Sequence, residues 1–332
     1  MRYSVMAANL IFLVFSIFFA SEALARNHDG AETRIDVGGF KLNSLLLEPS
    51  GKPDLPPIVF IHGASSSLYD PLYSFREKLE GRARLLFVDR PGHGASEEGD
   101  SSNILPDAQA DAIAVLMDTR GIRRAVIVGH SFGGAIAAAF AVRHPQKVVG
   151  LVFLSPAVYP WPGGVAWYYG AASAPVTGPV FSTLVVPPLG LIAINRAAQA
   201  VFAPNQVPEE YIARTKALQA INPIRFRHNA KEISALSDWA RSARRNYPSI
   251  EAPTVIITGD ADEIVSPDVH ARHLARDVRG STLIVVRNLG HKSDFVASDL
   301  AIAAIEKVSG RKPDLRAISR KLERRIANDG KN

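Results

Sequence analysis

Apolar residues along this chain fall into two rhythms. From Ile58 onward, short unbroken apolar runs recur at Ile58 to Ile61, Leu85 to Val88, Ala125 to Val128, Val149 to Leu154, Thr254 to Ile257 and Thr282 to Val286. Runs of this length with no polar alternation suit strands buried on both faces of a parallel sheet. Between them, helical periodicity predicts helices over Pro71 to Glu80, Pro106 to Arg120, Phe132 to His144, Pro267 to Val278 and Asp294 to Val308. Repeated strand and helix succession implies an α/β protein with a doubly wound, mostly parallel sheet. Ahead of it, Thr33 to Val37 and Phe40 to Leu47 flank Gly38-Gly39, which predicts an antiparallel hairpin because paired glycines supply the positive φ of a tight turn.

The regular beat stops from about Pro156 to Pro253, where Pro, Gly, Trp and Tyr are dense and amphipathic stretches follow near Tyr211 to Gln219 and Ala230 to Arg245. An insertion of that size between two core strands predicts a helical cap over the strand ends. Its apolar side chains, among them Trp161, Trp167, Tyr168, Leu184, Leu189 and Ile192, either line a substrate pocket or form the cap's own core. The first alternative makes Trp161, Trp167 and Tyr168 candidate substrate contacts.

The two ends read differently from the body. Arg2 precedes an uncharged apolar stretch to Ser21, and Ala23-Leu24-Ala25 offers a small-x-small cleavage pattern, so residues 1–25 are expected to be an export signal. The alternative is an uncleaved anchor through residues 3–21. Either way the main domain, residues 26–310, is expected outside the cytoplasm, periplasmic or secreted. The formal charge of +6 points first to nucleic acid, but residues 311–332 carry +5 of it, which leaves the body nearly neutral and without a basic face for a phosphate backbone. That basic tail has an apolar stripe through Leu315, Ile318, Leu322 and Ile326, so it is expected either to dock on an anionic membrane or to remain a solvated extension. With no cysteine in the chain, disulfides, thiolate metal sites and cysteine nucleophiles are excluded together.

The chemistry is concentrated at strand ends. Ala125 to Val128 runs into Gly129-His130-Ser131-Phe132-Gly133 and then an alanine-rich helix. A serine on so sharp a strand-to-helix turn needs small neighbours, and its hydroxyl is then exposed at the sheet's C-terminal edge. The first turn of the helix aims unpaired N–H groups at any oxyanion formed there, with the N–H of Phe132 as the first donor. His62-Gly63-Ala64, at the end of the first buried strand, supplies the second donor from the N–H of Ala64, and His62 is expected to brace that loop. A serine hydroxyl needs a neutral imidazole to accept its proton. His291 follows Gly290 on the loop after the last strand and is the expected base. Asp262, after the strand Thr254 to Ile257, is the expected carboxylate partner, with Asp260 bracing the turn and Glu263 facing solvent. His270 and His273 are expected on the surface, with no third ligand to make a metal site, and His144 is expected to cap helix carbonyls.

With these residues in view, the chain resembles the α/β-hydrolase superfamily, in its branch of capped esterases, lipases and haloperoxidase-like proteins. The matching segments are IHGA at 61–64, FVDRPGHGAS at 87–96, VGHSFGG at 128–134, ITGDADEIVSP at 257–267 and NLGHKSDF at 288–295, in the family's order of nucleophile, acid and base. The resemblance implies that Asp89 to Gly94 form a structural turn under the active site. It also implies hydrolysis of a small-molecule ester through an acyl-enzyme, with no cofactor or metal. Serine at 131 argues against epoxide hydrolases and dehalogenases, which carry aspartate there. Carbon–carbon bond hydrolysis, perhydrolysis and a binding protein that keeps the fold are the alternatives. Lys292, beside the expected base, departs from the pattern by placing a cation next to an imidazole that must itself become cationic.

Overall fold

The computed structural model describes residues 31–329, so the expected export segment, residues 1–25, lies outside the described residues. Eight strands form one sheet: β1 (Thr33–Asp36), β2 (Lys41–Leu47), β3 (Ile58–Ile61), β4 (Leu85–Val88), β5 (Ala125–His130), β6 (Val148–Leu154), β7 (Thr254–Gly259) and β8 (Thr282–Val286). Their spatial order is β1-β2-β4-β3-β5-β6-β7-β8. The hairpin β1–β2 and the β2–β4 pair are antiparallel, and every other pair is parallel.

Alternate residues of the central strands feed two separate cores. Val59, Ile61, Leu86, Val88 and Ile127 pack on one face with helices α2 (Pro106–Thr119) and α3 (Phe132–Arg143). Ile58, Phe60, Leu85, Phe87 and Val126 pack on the other with α1 (Tyr69–Leu79) and a C-terminal helix, Ser298–Val308. This is why the strands read as unbroken apolar runs: both faces are removed from water. Alanines 135 and 137–139 let α3 lie close against the sheet, which fixes the turn that precedes it.

The segment between β6 and β7 carries helices α4 (Trp167–Ser173), α5 (Thr177–Leu184), α6 (Val186–Phe202), α7 (Tyr211–Arg214) and α8 (Pro223–Ala243). The Asn222 side chain caps α8 by accepting from the N–H groups of Ile224 and Arg225 at 3.1 and 3.3 Å, and Pro223 fits the first helical position, where no N–H is needed. Helix α9 (Ala271–Asp277) begins later than the periodicity predicts, after the turn at Pro267. The helix expected from Asp294 breaks at Ala297 into α10 (Ser293–Val296) and α11 (Ser298–Val308).

The basic tail is a helix, α12 (Leu315–Asp329), but its apolar stripe faces the protein. Leu315, Leu322 and Ile326 are buried in the same core as α11 and β8, and Arg325 donates to the carbonyl of Val296. The stripe expected to be free in the tail is thus covered by the fold itself.

Candidate active site

The turn after β5 is held open by two glycines. A Cβ on Gly129 would lie 2.3 Å from the carbonyl oxygen of Gly133, and one on Gly133 would lie 2.2 Å from that of Ile61. No neighbour can yield there, since both obstacles are backbone. Between them Ser131 adopts φ 52° and ψ −117°, a conformation that L-residues rarely take. Its N–H donates to the carbonyl of Leu154 at 2.9 Å, which anchors the turn to β6. Phe132, the expected first oxyanion donor, opens α3, where first-turn N–H groups have no carbonyl within the helix to accept them.

His291 Nε2 lies 3.0 Å from Ser131 Oγ, and His291 Nδ1 lies 2.9 Å from Asp262 Oδ2. All three side chains are buried, so water competes little for these contacts. The other oxygen of Asp262 accepts from the N–H groups of Ile264 and Val265 at 3.0 and 2.9 Å. Burial pushes the Asp262 carboxyl up, but the facing His291 and these two N–H groups outweigh it and hold the group below its ordinary value. Asp260 braces the neighbouring loop by accepting from the Asn288 N–H at 2.7 Å, and Glu263 is exposed.

The loop bearing Ala64 backs onto the same turn: a Cβ on Gly63 would stand 3.2 Å from Ser131 Cβ. His62 braces it as expected, with Nδ1–H donating to the Gly63 carbonyl at 2.8 Å and Nε2 accepting from the Arg90 N–H at 3.1 Å. The next residue is fixed from the cap. Asn229 on α8 accepts from the Ser65 N–H at 2.8 Å and donates to Ser65 Oγ at 2.9 Å.

Three groups of residues have positions that the sequence did not disclose. Lys292, next to the expected base, donates its ammonium to Asp70 at 2.7 Å and to Asp294 at 2.9 Å in a buried cluster. Burial alone lowers its pKa, but the two carboxylates more than reverse that and keep it charged. Asp70, His130 and Asp294 are the group among the described residues whose atoms converge as metal ligands would, and that ammonium already supplies the positive charge between the two acids. His130, kept neutral by burial and by the Lys292 charge, donates from Nε2 to the carbonyl of His291 at 3.0 Å and so holds that backbone.

The second group adjoins the Gly63 loop and Phe132. Arg90 and Glu232 are both fully buried, 2.9 Å apart at the closest atoms, and join the turn after β4 to α8. The same carboxylate accepts from Gln109 at 2.7 Å and from His93 at 2.7 Å, while Arg90 also donates to the Gly63 carbonyl at 3.2 Å and sits 4.4 Å over the ring of Phe132. Burial raises the Glu232 pKa, but the Arg90 charge and then His93 pull it well below the ordinary value. His228 completes the group, 3.5 Å from Glu232 and 3.7 Å from Glu98. Burial opposes its charge, yet the two carboxylates raise its pKa to about 9.

That shift gives a pH dependence of definite sign. A histidine whose folded pKa exceeds its unfolded value of 6.5 contributes stability that is complete below 6.5 and lost as pH rises through about 9. Urea denaturation is expected to give a lower midpoint at pH 9.5 than at pH 6.5, and the drop should shrink in His228→Gln. An equal drop in both proteins would remove His228 as its source.

Third are the remaining histidines. His270 is buried rather than on the surface, because Nδ1 accepts from the N–H groups of Val158 and Tyr159 at 3.1 and 3.0 Å. Burial lowers its pKa to about 4, which keeps that nitrogen free to accept. His144 does not cap carbonyls but pairs with Asp111 at 2.7 Å. The expected substrate contacts divide. Trp161 is half-buried against the main core and donates to the Gly164 carbonyl at 2.9 Å. Trp167, 73% exposed, and Tyr168 both reach solvent. Leu184, Leu189 and Ile192 are exposed too, so these side chains do not form a core of the cap.

Residues 56–296 match the model of the alpha/beta hydrolase fold. The chain belongs to this family. Among curated relatives, a monoacylglycerol lipase of Xenopus laevis is 26% identical over 254 residues, covering 73% of this chain and 72% of the lipase. A 2-hydroxy-6-oxononadienedioate/2-hydroxy-6-oxononatrienedioate hydrolase of Klebsiella pneumoniae is 25% identical over 264 residues, covering 73% of this chain and 83% of that enzyme. By contrast, the chain spans only 26% of an acetyltransferase component of the acetoin cleaving system from Cupriavidus necator, at 36% identity over 99 residues. The solved enol-lactonase of Burkholderia xenovorans LB400 superposes with a TM-score of 0.67 at 21% identity, over 83% of this chain and 99% of its own. The resemblance to this family drawn from the motifs is thus met by the sequence match and by the fold.

Proposed function

We propose that this hydrolase cleaves a carboxylic ester, lipophilic in its acyl or alcohol part, through an acyl-enzyme on Ser131. The observation that carries the reading is the continuous relay from Ser131 Oγ to His291 Nε2, 3.0 Å, and from His291 Nδ1 to Asp262, 2.9 Å. His291 takes the hydroxyl proton as Ser131 Oγ attacks the acyl carbon, and the carbonyl π electrons move onto oxygen, where the N–H groups of Phe132 and Ala64 hold them. Collapse expels the alcohol, which leaves with the proton from His291. Water, deprotonated by the same imidazole, then attacks the acyl carbon, and Ser131 departs with that proton. Asp262 fixes the imidazole tautomer and balances its transient charge. Each proton that leaves returns, so no cofactor or metal enters the cycle.

The similarity to the lipase of Xenopus laevis supports an ester, and the similarity to the Klebsiella hydrolase supports a second reading, hydrolysis of a carbon–carbon bond next to a ketone. One experiment separates them. Wild type and Ser131→Ala are treated with a fluorophosphonate, then offered p-nitrophenyl esters of graded chain length beside a panel of diketones. Labelling of wild type alone, with turnover confined to esters, is the expected result. Turnover of diketones alone would replace the ester reading, and an unlabelled, inactive wild type would leave a binding protein of this fold.

A further inference from the structure

The cap exposes more carbon than a water-facing surface ordinarily does. Among the described residues, Trp167 is 73%, Val176 84%, Leu184 68%, Leu189 56%, Ile192 79% and Ile224 66% exposed. They are not scattered. Val176, Val180 and Leu184 recur at four-residue spacing and so share one face of α5 and its N-cap. Trp167 of α4 meets Phe181 of α5 with ring centroids 6.0 Å apart, and Tyr168 meets Phe226 beside Ile224 at 6.4 Å. Helix α6 continues from α5 after a 60° bend, and only Val186, Ala198 and Phe202 of its residues are buried, although most of the helix is apolar. Contiguous apolar surface of this kind marks an interaction site.

We propose that this face of the cap is a docking surface for a phospholipid bilayer, into whose interface α5 and α6 lay their exposed side chains. Charge selects this occupant. No acidic residue occurs between Asp118 and Glu209, and Arg196 is the one charged side chain from 156 to 208. Arg225 and Arg227 follow Ile224 at the start of α8, so the charges beside the apolar face are cationic and match an anionic leaflet. A protein partner is ordinarily met by a polar rim with hydrogen-bonding groups around the apolar centre, whereas α5 and the start of α6 carry no charge, and their exposed polar side chains are Thr177 and Thr183, the latter bonded back to the Pro179 carbonyl. Trp167 and Tyr168, each an apolar body with a polar tip, stand at the edge of the face, where an interface favours them. Among the described residues no single helix is long and apolar enough to cross a membrane, and α6 carries Asn195, Arg196 and Gln199 in its second half, which suits a helix lying in the interface.

The absence of native cysteine makes the test direct. In the full chain, Ile192→Cys and Leu184→Cys are each labelled with the environment-sensitive fluorophore NBD, and Glu251→Cys, exposed before β7 at the opposite edge of the sheet, serves as the control. Phosphatidylcholine vesicles containing phosphatidylglycerol are added, and emission and iodide quenching are read without any turnover, so the outcome does not depend on the catalytic reading. A shift to shorter wavelength with loss of quenching at 184 and 192, and none at 251, is expected. Unchanged emission at 184 and 192 overturns the proposal, even if the protein floats with the vesicles, since another segment then tethers it. Blue-shifted, protected probes before vesicles are added also overturn it: concentration dependence assigns the face to a second copy, and its absence assigns it to another segment of the same chain.

Discussion

Replacing His291 by alanine is expected to cut kcat for the preferred ester by about 10⁴- to 10⁶-fold, with Ser131→Ala equal to it and the double variant no slower than either. Equality follows from the way the two side chains act. The hydroxyl is nucleophilic only while the imidazole 3.0 Å away can accept its proton, and the imidazole has nothing to activate once the hydroxyl is gone. What is expected to survive is the contribution of the proposed Phe132 and Ala64 donors and of substrate binding, common to all three variants. Asp262→Asn should cost roughly 10⁴-fold, because an amide facing Nδ1 favours the tautomer that leaves Nε2 protonated and unable to serve as base. Michaelis constants should change little, since none of these groups holds the ground-state ester. Losses that multiplied in the double variant would mean that Ser131 and His291 act separately, and an unimpaired Asp262→Asn would remove the carboxylate from the relay.

The parts of this site that were legible in the sequence are those whose physics is local. Burial on both faces writes itself as an unbroken apolar run, so β3, β4 and β8 begin and end where the pattern places them. The turn that bears Ser131 announces itself because Gly129 and Gly133 each lie against backbone that admits no Cβ. His291 and Asp262 follow strand ends on the same edge of the sheet. Hydrogen-bonding needs between distant segments leave no such mark. Nothing around residue 232 indicates that a carboxylate in an amphipathic cap helix points inward at Arg90, and His270 reads as a surface histidine because its two donors come from Val158 and Tyr159. In the cap, α4 to α6 escaped notice for a related reason. Their apolar side chains mostly do not face a core, so the helical periodicity that burial imposes is missing, and the prolines dense in this stretch include Pro187-Pro188 in the first turn of α6, where proline is tolerated.

The hidden link at Glu232 carries the largest expected effect on stability. Glu232→Ala leaves the fully buried Arg90 guanidinium without a counter-charge, and it also removes the acceptor shared by Gln109, His93 and Arg90. Breaking a buried pair in this way typically costs about 3–5 kcal/mol, far more than the pair gains relative to an apolar replacement. The companion variant Arg90→Met/Glu232→Met should therefore recover much of the loss, because both desolvation penalties vanish together. Urea denaturation of the two single variants and the double variant measures this, and a Glu232→Ala loss under ~1 kcal/mol would mean that the cap and the core do not depend on this contact. Recovery of stability is not expected to restore turnover. Arg90 also donates to the Gly63 carbonyl and lies over the ring of Phe132, so it positions both backbone segments assigned to the oxyanion, and the methionine pair supplies neither the donor nor the planar cation. A double variant as stable as wild type but lower in kcat, with KM held, would separate the two duties of this one arginine.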